Sequence, residues 1–331
     1  MFTRRDVLLA LALQCAAWPA AAQAPNSGTP KRVGILLGES PEDWLDYERG
    51  FLAAMREQGW ANDKNLVIER AYADGKLERL AALADGLVRS RVDVIVTGGS
   101  PATMAAARAT RVIPIVFIAP LPWVVEQGLI ESYAHPGHNV TGAVLTDGDV
   151  IGKRLQFLRE LVPTAKRPAW VWPDVLLSPE TLSGGRINLI PVLRETAWKA
   201  GFETRFYAVR AGQDIAAVFD EVVNWGAQAV TAFAGGGIAE LALRHKLPSA
   251  FPVRESVDAG GLLSYGAEGG SDSLLAGRSA DYVDRILRGA RPAELPVEFP
   301  TRYELAINVT TAKALRLSIP QALLLRAKLV Q

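Results

Sequence analysis

A glycine-rich turn between an apolar strand and a helix is the feature of the sequence best suited to binding an anion. The segment 92–110 is VDVIVTGGSPATMAAARAT. We expect Ser100 at the N-cap of the helix and Pro101 in its first turn. The first backbone N–H groups of such a helix can receive a ligand carboxylate beyond the strand's carboxyl end. Helix capping alone, which contributes about 1 kcal/mol, explains Ser100 without a ligand.

Other candidate ligand-binding residues lie in loops that follow predicted strands. Trp123 could stack on a ring or cover an apolar ligand, and Asp174 could bind an ammonium group. Glu255 could pair with a cation, and Tyr265 could line a cleft near a hinge. Purely structural roles are the alternative for each: a surface plug, a helix cap, an internal salt bridge and a buried tyrosine. The full set of predicted ligand-binding residues is Gly38, Glu39, Ser40, Gly99, Ser100, Thr103, Trp123, Asp174, Gly235, Glu255 and Tyr265.

Motifs for catalysis, metal binding and phosphate binding are weak or missing. His135 and His138 are three residues apart, but Pro136-Gly137 between them forms a turn, and we expect no nearby carboxylate or cysteine partner. GGSPA has Ala102 where a Gly-x-Ser-x-Gly nucleophile turn requires glycine. AGGG lacks the lysine and the serine or threonine of a phosphate loop. We expect no catalytic residue, no metal and no cofactor.

The N-terminal residues predict export. Residues 1–22 combine Arg4 and Arg5, a short apolar run and small residues ending at Ala22, which is typical of a cleaved signal peptide. TRRDVLL partly matches a twin-arginine signal, and a general secretory signal is the alternative. The only cysteine, Cys15, lies inside this segment, so the mature chain has neither a disulfide nor thiol chemistry. A periplasmic location is predicted.

Charge and periodicity favour two α/β domains that bind a small molecule. The 331-residue chain has a formal net charge of +1, too low for a nucleic-acid partner. Apolar strands alternate with amphipathic helices twice, and the second series begins near Trp170, with one of its helices predicted to begin after Pro191. This pattern predicts an α/β fold with two doubly wound parallel sheets, while one large sheet is the alternative. Ligands of such sheets bind beyond the strands' carboxyl ends.

Several segments resemble ABC-transporter substrate-binding proteins of the tryptophan/tyrosine-binding-like kind. They include KRVGILLGES, DVIVTGGSPATMAAARAT, GKRLQFLRELVP, AGGLLSYG and LPVEFPTRYELAINVTTAKALRLSIP. The resemblance covers nearly the whole mature chain and implies a type I periplasmic binding protein without catalysis. Such a protein closes two lobes over a small ligand and delivers the ligand to an ABC permease in the inner membrane. APLPW and AGGG replace the family's usual Asp-Pro and Pro-Asp turns, so no ligand identity carries over.

We therefore expect a monomeric, exported solute-binding protein whose ligand is a carboxylate-bearing small molecule, either an amino acid or an aromatic acid. Lobe 1 is predicted to comprise residues 30–143 and about 266–297, and lobe 2 residues 144–265 and about 298–331. Hinge crossovers are predicted near NVTGAVL, SYGAEGG and VEFPTRYE. The alternatives are a ligand sensor that feeds a signalling receptor and an exported α/β hydrolase.

Overall fold

The computed structural model describes residues 29–118, 124–144, 148–173, 189–210, 213–232, 236–268 and 271–331. The strands are β1 (Lys31–Leu37), β2 (Leu66–Tyr72), β3 (Val94–Gly98), β4 (Ile115–Ile118), β5 (Val140–Ala143), β6 (Pro168–Pro173), β7 (Arg205–Val209), β8 (Ala229–Ala232), β9 (Ser249–Phe251), β10 (Leu263–Ala267), β11 (Tyr303–Asn308) and β12 (Lys328–Val330). The helices are α1 (Leu45–Glu57), α2 (Leu80–Arg89), α3 (Gly99–Ala109), α4 (Gly148–Leu161), α5 (Leu189–Lys199), α6 (Ile215–Asn224), α7 (Gly236–Arg244), α8 (Glu255–Asp258), α9 (Ser271–Leu287), α10 (Val309–Ala314) and α11 (Gln321–Leu324). Short 3-10 turns cover Glu42–Trp44, Leu77–Arg79 and Pro292–Glu294.

The first sheet is fully parallel, with strand order β2-β1-β3-β4-β5. Its buried strands are runs of branched apolar residues, and both faces are covered by helices, as parallel sheets require. One face packs against α1 and α9 and the other against α2 and α3. The strand order reverses between β1 and β3, so the loops that follow these two strands flank the topological switch point.

The second sheet has seven strands in the order β12-β11-β10-β9-β8-β6-β7. The five strands from β7 to β10 repeat the order of the first sheet, and β11 and β12 extend one edge, with β11 antiparallel to β10. Trp170 and Trp172 project from β6 into a core with residues of α4 and α5, while Ala169 and Val171 face α6 and α7. Two doubly wound sheets are thus confirmed, and the single large sheet is wrong.

The chain passes between the two sheets three times. It leaves the first sheet after β5, returns after β10 to form α9, and leaves again before β11. Helix α9 packs along α1, where Tyr47 Oη and Ser279 Oγ are 2.7 Å apart in the buried interface. The indole N–H of Trp60 donates to Asp284 Oδ1 at 2.7 Å and holds the far end of the same pair of helices.

The start of helix α5 differs from the prediction. Helix α5 begins at Leu189, so Pro191 lies in its first turn rather than before it. A proline is compatible with that position because the first N–H groups of a helix have no partner within the helix. Within the described ranges, no helix is both long enough and apolar enough to cross a membrane.

Candidate functional site

The loop after β1 is held beside the loop after β2 at the carboxyl edge of the first sheet. The carbonyl oxygen of Gly38 accepts a hydrogen bond from the Gly75 N–H at 2.8 Å, and that of Glu39 accepts one from Asp74 at 3.3 Å. Gly38 is buried, Glu39 is exposed and Ser40 is half-buried. These backbone bonds fix the path of the predicted site residues between β1 and α1.

Helix α3 begins directly after β3, on the other side of the switch point. Its N-cap is Gly98, in an extended conformation (φ −97°, ψ 124°) without a side-chain capping bond, and Gly99 has a φ of +71°. The prediction that Ser100 is the N-cap is therefore wrong: Ser100 lies in the first turn and is 1% exposed. The chain enters the helix two residues earlier than predicted, at Gly99, which adopts the positive φ that other residues avoid.

Thr103, inside α3, stabilises this turn through hydrogen bonds of its hydroxyl group. Its hydroxyl donates to the carbonyl oxygen of Gly99 at 2.7 Å and lies 2.8 Å from the Thr97 hydroxyl. Both threonines are fully buried. The two hydroxyls satisfy polar groups where β3 joins α3, so Thr103 orients the turn that carries Gly99 and Ser100.

Trp44 lies at this candidate site and was not predicted from the sequence. Two of its ring atoms lie 2.8 Å from the position that a Cβ atom on Gly98 would occupy, so the indole rests directly on the start of α3. Its Nε1 donates to Glu39 Oε2 at 3.1 Å, and its ring meets Tyr47 edge-on at 5.2 Å. In the sequence Trp44 continues the apolar spacing of α1, so only its proximity to Gly98 in the fold distinguishes it from a core residue.

An ionic cluster lies beside this edge, where β2 ends. Arg70 Nε and Tyr72 Oη each donate to the Glu48 carboxylate at 2.8 Å. Burial tends to raise the pKa of Glu48, but the hydrogen bonds from Arg70 and Tyr72 outweigh it and lower that pKa below its ordinary value. Burial, reinforced by the Glu48 charge, raises the pKa of Tyr72. Glu48 is therefore an anion near neutral pH, and Tyr72 keeps its proton.

In the second sheet, Tyr265 lies on β10 with its ring between two other aromatic rings. Phe157 meets it edge-on at 4.9 Å, and Tyr303 stacks on it at 5.9 Å. The half-buried Tyr265 ring lines a groove of about 620 Å³ between α4 and α5. Asp149, Lys153 and Lys199 line the same groove, and Lys199 forms an ion pair with Glu195 at 2.8 Å.

Glu255 lies on the opposite face of β10. It is the exposed first residue of α8 and lines a cavity of about 260 Å³ together with Ser264 and Gly266 of β10. Strand residues alternate between faces, so Ser264 and Gly266 point away from the side of Tyr265. The structure therefore does not bring Glu255 and Tyr265 into one pocket.

The charges around Glu255 are largely neutralised by one another. Arg254 lies 3.4 Å from Glu304, and Lys328 lies 3.0 Å from the same carboxylate. Arg254 also approaches Asp258 at 3.6 Å. In the part of the chain that the structure describes, Glu255 itself has no ion pair, which leaves its carboxylate available to a cation.

Three predicted site residues, Trp123, Asp174 and Gly235, lie outside the described residues, as does the predicted signal peptide. The expectation that the two histidines have no nearby carboxylate is wrong for His138, whose Nε2 lies 3.9 Å from Glu131 Oε1 in an exposed pair. No group of three or more histidine, cysteine, aspartate or glutamate residues within the described ranges could hold a metal ion.

Comparisons with known proteins agree with this architecture. The family model for "ABC transporter substrate binding protein" matches residues 39–331. The "Tyrosine-binding protein" of Clostridioides difficile (strain R20291) is 24% identical over 298 residues, which cover 88% of this chain and 82% of that protein. A conserved domain protein from Vibrio cholerae has a TM-score of 0.77 at 24% identity, covering 92% of this chain and all of that one. An ABC domain from Streptococcus pneumonia in complex with L-Trp gives 0.77 at 22% identity with the same coverage. The fold is that of type I periplasmic binding proteins.

Proposed function

Because this chain belongs to the ABC transporter substrate-binding protein family, whose members are solute-binding proteins and not enzymes, we propose that it binds a small carboxylate-bearing molecule, an amino acid or an aromatic acid, for delivery to an ABC permease. The carboxylate is received at the first turn of α3, around Gly99 and Ser100. The loop of Gly38, Glu39 and Ser40 completes this half of the site.

One observation carries the proposal: the β1 loop and the start of α3 flank the switch point of the first sheet, with Trp44 lying across Gly98. Partial positive charge at a helix N-terminus favours an anion there. The indole provides an apolar, aromatic surface immediately beside it. A ligand with a carboxylate next to an aromatic or apolar group matches both features.

The relatives support the same ligand class. The Clostridioides difficile relative is described as tyrosine-binding, and the Streptococcus structure holds L-Trp. Both ligands combine a carboxylate, an ammonium group and an aromatic ring. In this chain the unpaired Glu255 is our candidate for receiving the ammonium group, and Trp123, Asp174 and Gly235 complete the second half of the proposed site. Tyr265, on the opposite face of β10, is left out of this half-site.

Lobe closure is the proposed mechanism. We assign residues 30–143 and about 266–297 to one lobe and residues 144–265 and about 298–331 to the other, a division supported by the packing of α9 on α1. Ligand contacts made with both lobes favour the closed state, because only a difference in affinity between two states shifts their equilibrium. Cleavage after residue 22, export to the periplasm and a monomeric state belong to the same proposal.

Binding of defined acids tests the proposal. The purified mature chain is analysed by native mass spectrometry for a co-purified ligand and then titrated calorimetrically with L-tyrosine, L-tryptophan, L-leucine and benzoate. We expect at least one acid to bind at a 1:1 ratio, and we expect the matching amine without a carboxylate, tyramine for tyrosine, to bind at least tenfold more weakly. Equal affinity for the acid and its amine would overturn the carboxylate assignment.

A further inference from the structure

Arg154 is a buried cation in α4, with 4% of its surface exposed. Its Nε and Nη2 groups donate to one acceptor, the carbonyl oxygen of Tyr265, at 3.2 and 3.1 Å. Burial alone lowers the pKa of Arg154 to about 9, and no carboxylate offsets it among the described residues. A buried charge without a counter-charge is expensive. The fold therefore keeps Arg154 at this position despite its cost in stability.

The carbonyl group that Arg154 holds lies just beyond the last residue pair of β9 and β10. The pairing of β9 with β10 ends at Phe251 and Ser264, one residue before Tyr265. Strand β9 ends one residue before Pro252, and its pairing with β10 does not continue past this point. The Arg154 guanidinium donates two hydrogen bonds to this carbonyl, and a buried carbonyl without a donor would be costly.

The end of β10 is fixed from other sides as well. A Cβ atom on Gly266 would lie 1.8 Å from the carbonyl oxygen of Pro252, so the two backbones are in direct contact. The Tyr265 ring is in turn enclosed by Phe157 and Tyr303. Immediately beyond Ala267 the chain crosses to α9, which packs against α1. This strand end is thus the point where one inter-lobe crossover leaves the second sheet.

We propose that Arg154 is a positioning residue that fixes the end of β10, and with it Tyr265 and the crossover to α9, in the geometry required for lobe closure. It acts through Tyr265 and not by contacting the ligand. This inference rests on the proposed two-lobed mechanism but does not depend on the identity of the ligand. Loss of Arg154 is expected to change the relative positions of the lobes even before any ligand binds.

Arg159 provides a matched control in the same helix. Its guanidinium also donates to a backbone carbonyl, that of Gly201 at 2.9 Å, and lies over the Phe202 ring. Gly201 follows α5 and is remote in sequence from the crossover. Arg154→Met and Arg159→Met each remove one arginine–carbonyl interaction from α4, so they separate the effect on β10 from a general weakening of that helix.

The test measures the separation of the lobes by single-molecule energy transfer in the ligand-free full chain. Dyes are attached to cysteines introduced at the exposed positions Ala53 in α1 and Asn224 in α6, with Cys15 replaced by serine. We expect Arg154→Met to shift or broaden the transfer distribution and Arg159→Met to leave it as in the parent. If both variants match the parent distribution, the proposal is wrong.

Ligand affinity gives the second readout. For whichever acid binds the parent, we expect Arg154→Met to weaken binding by about tenfold, Arg154→Lys to restore part of the loss, and Arg159→Met to stay within about twofold of the parent. If Arg154→Met does not fold, Arg154→Lys is compared with the parent in both measurements. A parent that binds none of the acids refutes the proposed ligand class, whereas the ligand-free distances still decide the role of Arg154.

Discussion

Gly98 is the residue on which the geometry of the candidate site depends most directly. A Cβ atom at this position would lie 2.5 Å from Leu37 Cδ2 and 2.8 Å from the Trp44 ring. Contacts that short do not occur, so Trp44 can lie on the start of α3 only while residue 98 has no side chain. The sequence made the turn predictable, because Gly-Gly-Ser-Pro between a strand and a helix has few other interpretations. The indole above it was unpredictable, because that contact joins segments more than fifty residues apart.

Gly98→Ala tests this dependence. We expect it to displace Trp44, to destabilise the fold by about 1–3 kcal/mol through overpacking, and to weaken binding of the ligand acid. Gly277→Ala is the control, since Gly277 is exposed in α9 and a Cβ there meets nothing within 4 Å. That change is expected to stabilise by about 0.5–1 kcal/mol and to leave affinity unchanged. Urea unfolding and calorimetry measure both effects; unaltered affinity in Gly98→Ala would contradict the role given to Trp44.

At the scale of elements, alternation of apolar strands and amphipathic helices was enough to predict both sheets. A strand buried between two helix layers must be an apolar run, and each covering helix must carry an apolar stripe, so the pattern is strong. The addition of β11 and β12 to the second sheet left no comparable signal, since β11 lies outside the strand–helix alternation and β12 is an edge strand of three residues. Helices α3 and α5 begin earlier than predicted. In α3 the positive φ of Gly99 allows the earlier start, and in α5 the first turn accommodates Pro191.

The seam between α1 and α9 yields an element-scale prediction. Tyr47→Phe removes the buried hydrogen bond to Ser279, whose hydroxyl still donates to the Ala276 carbonyl at 3.0 Å. We expect a loss of about 0.5–1.5 kcal/mol in the free energy of unfolding. In a double-mutant cycle with Ser279→Ala, the combined loss should be smaller than the sum of the single losses. If the loss in the double variant equals the sum of the two single losses, the hydrogen bond contributes nothing to the packing of α1 on α9.

At the scale of the whole molecule, two sheets with matching strand orders are joined by three crossovers. Together these connections join two separately packed sets of cores into one chain. In each sheet the central parallel strands end at the same carboxyl edge, where ligands of doubly wound folds bind. A ligand that contacts both edges therefore changes the relative position of the lobes. A ligand that contacts one lobe alone does not.

Small-angle X-ray scattering tests this coupling in the mature chain. A single compact body of about 309 residues has a radius of gyration near 19 Å. We expect the ligand-free protein to exceed that value and saturation with the bound acid to reduce it, because closure removes the space between the lobes. At 100 times its dissociation constant, the same acid should add about 2.7 kcal/mol to the free energy of unfolding. Stabilisation without contraction would mean that the ligand binds one lobe only, and the mechanism of delivery by closure would then be wrong.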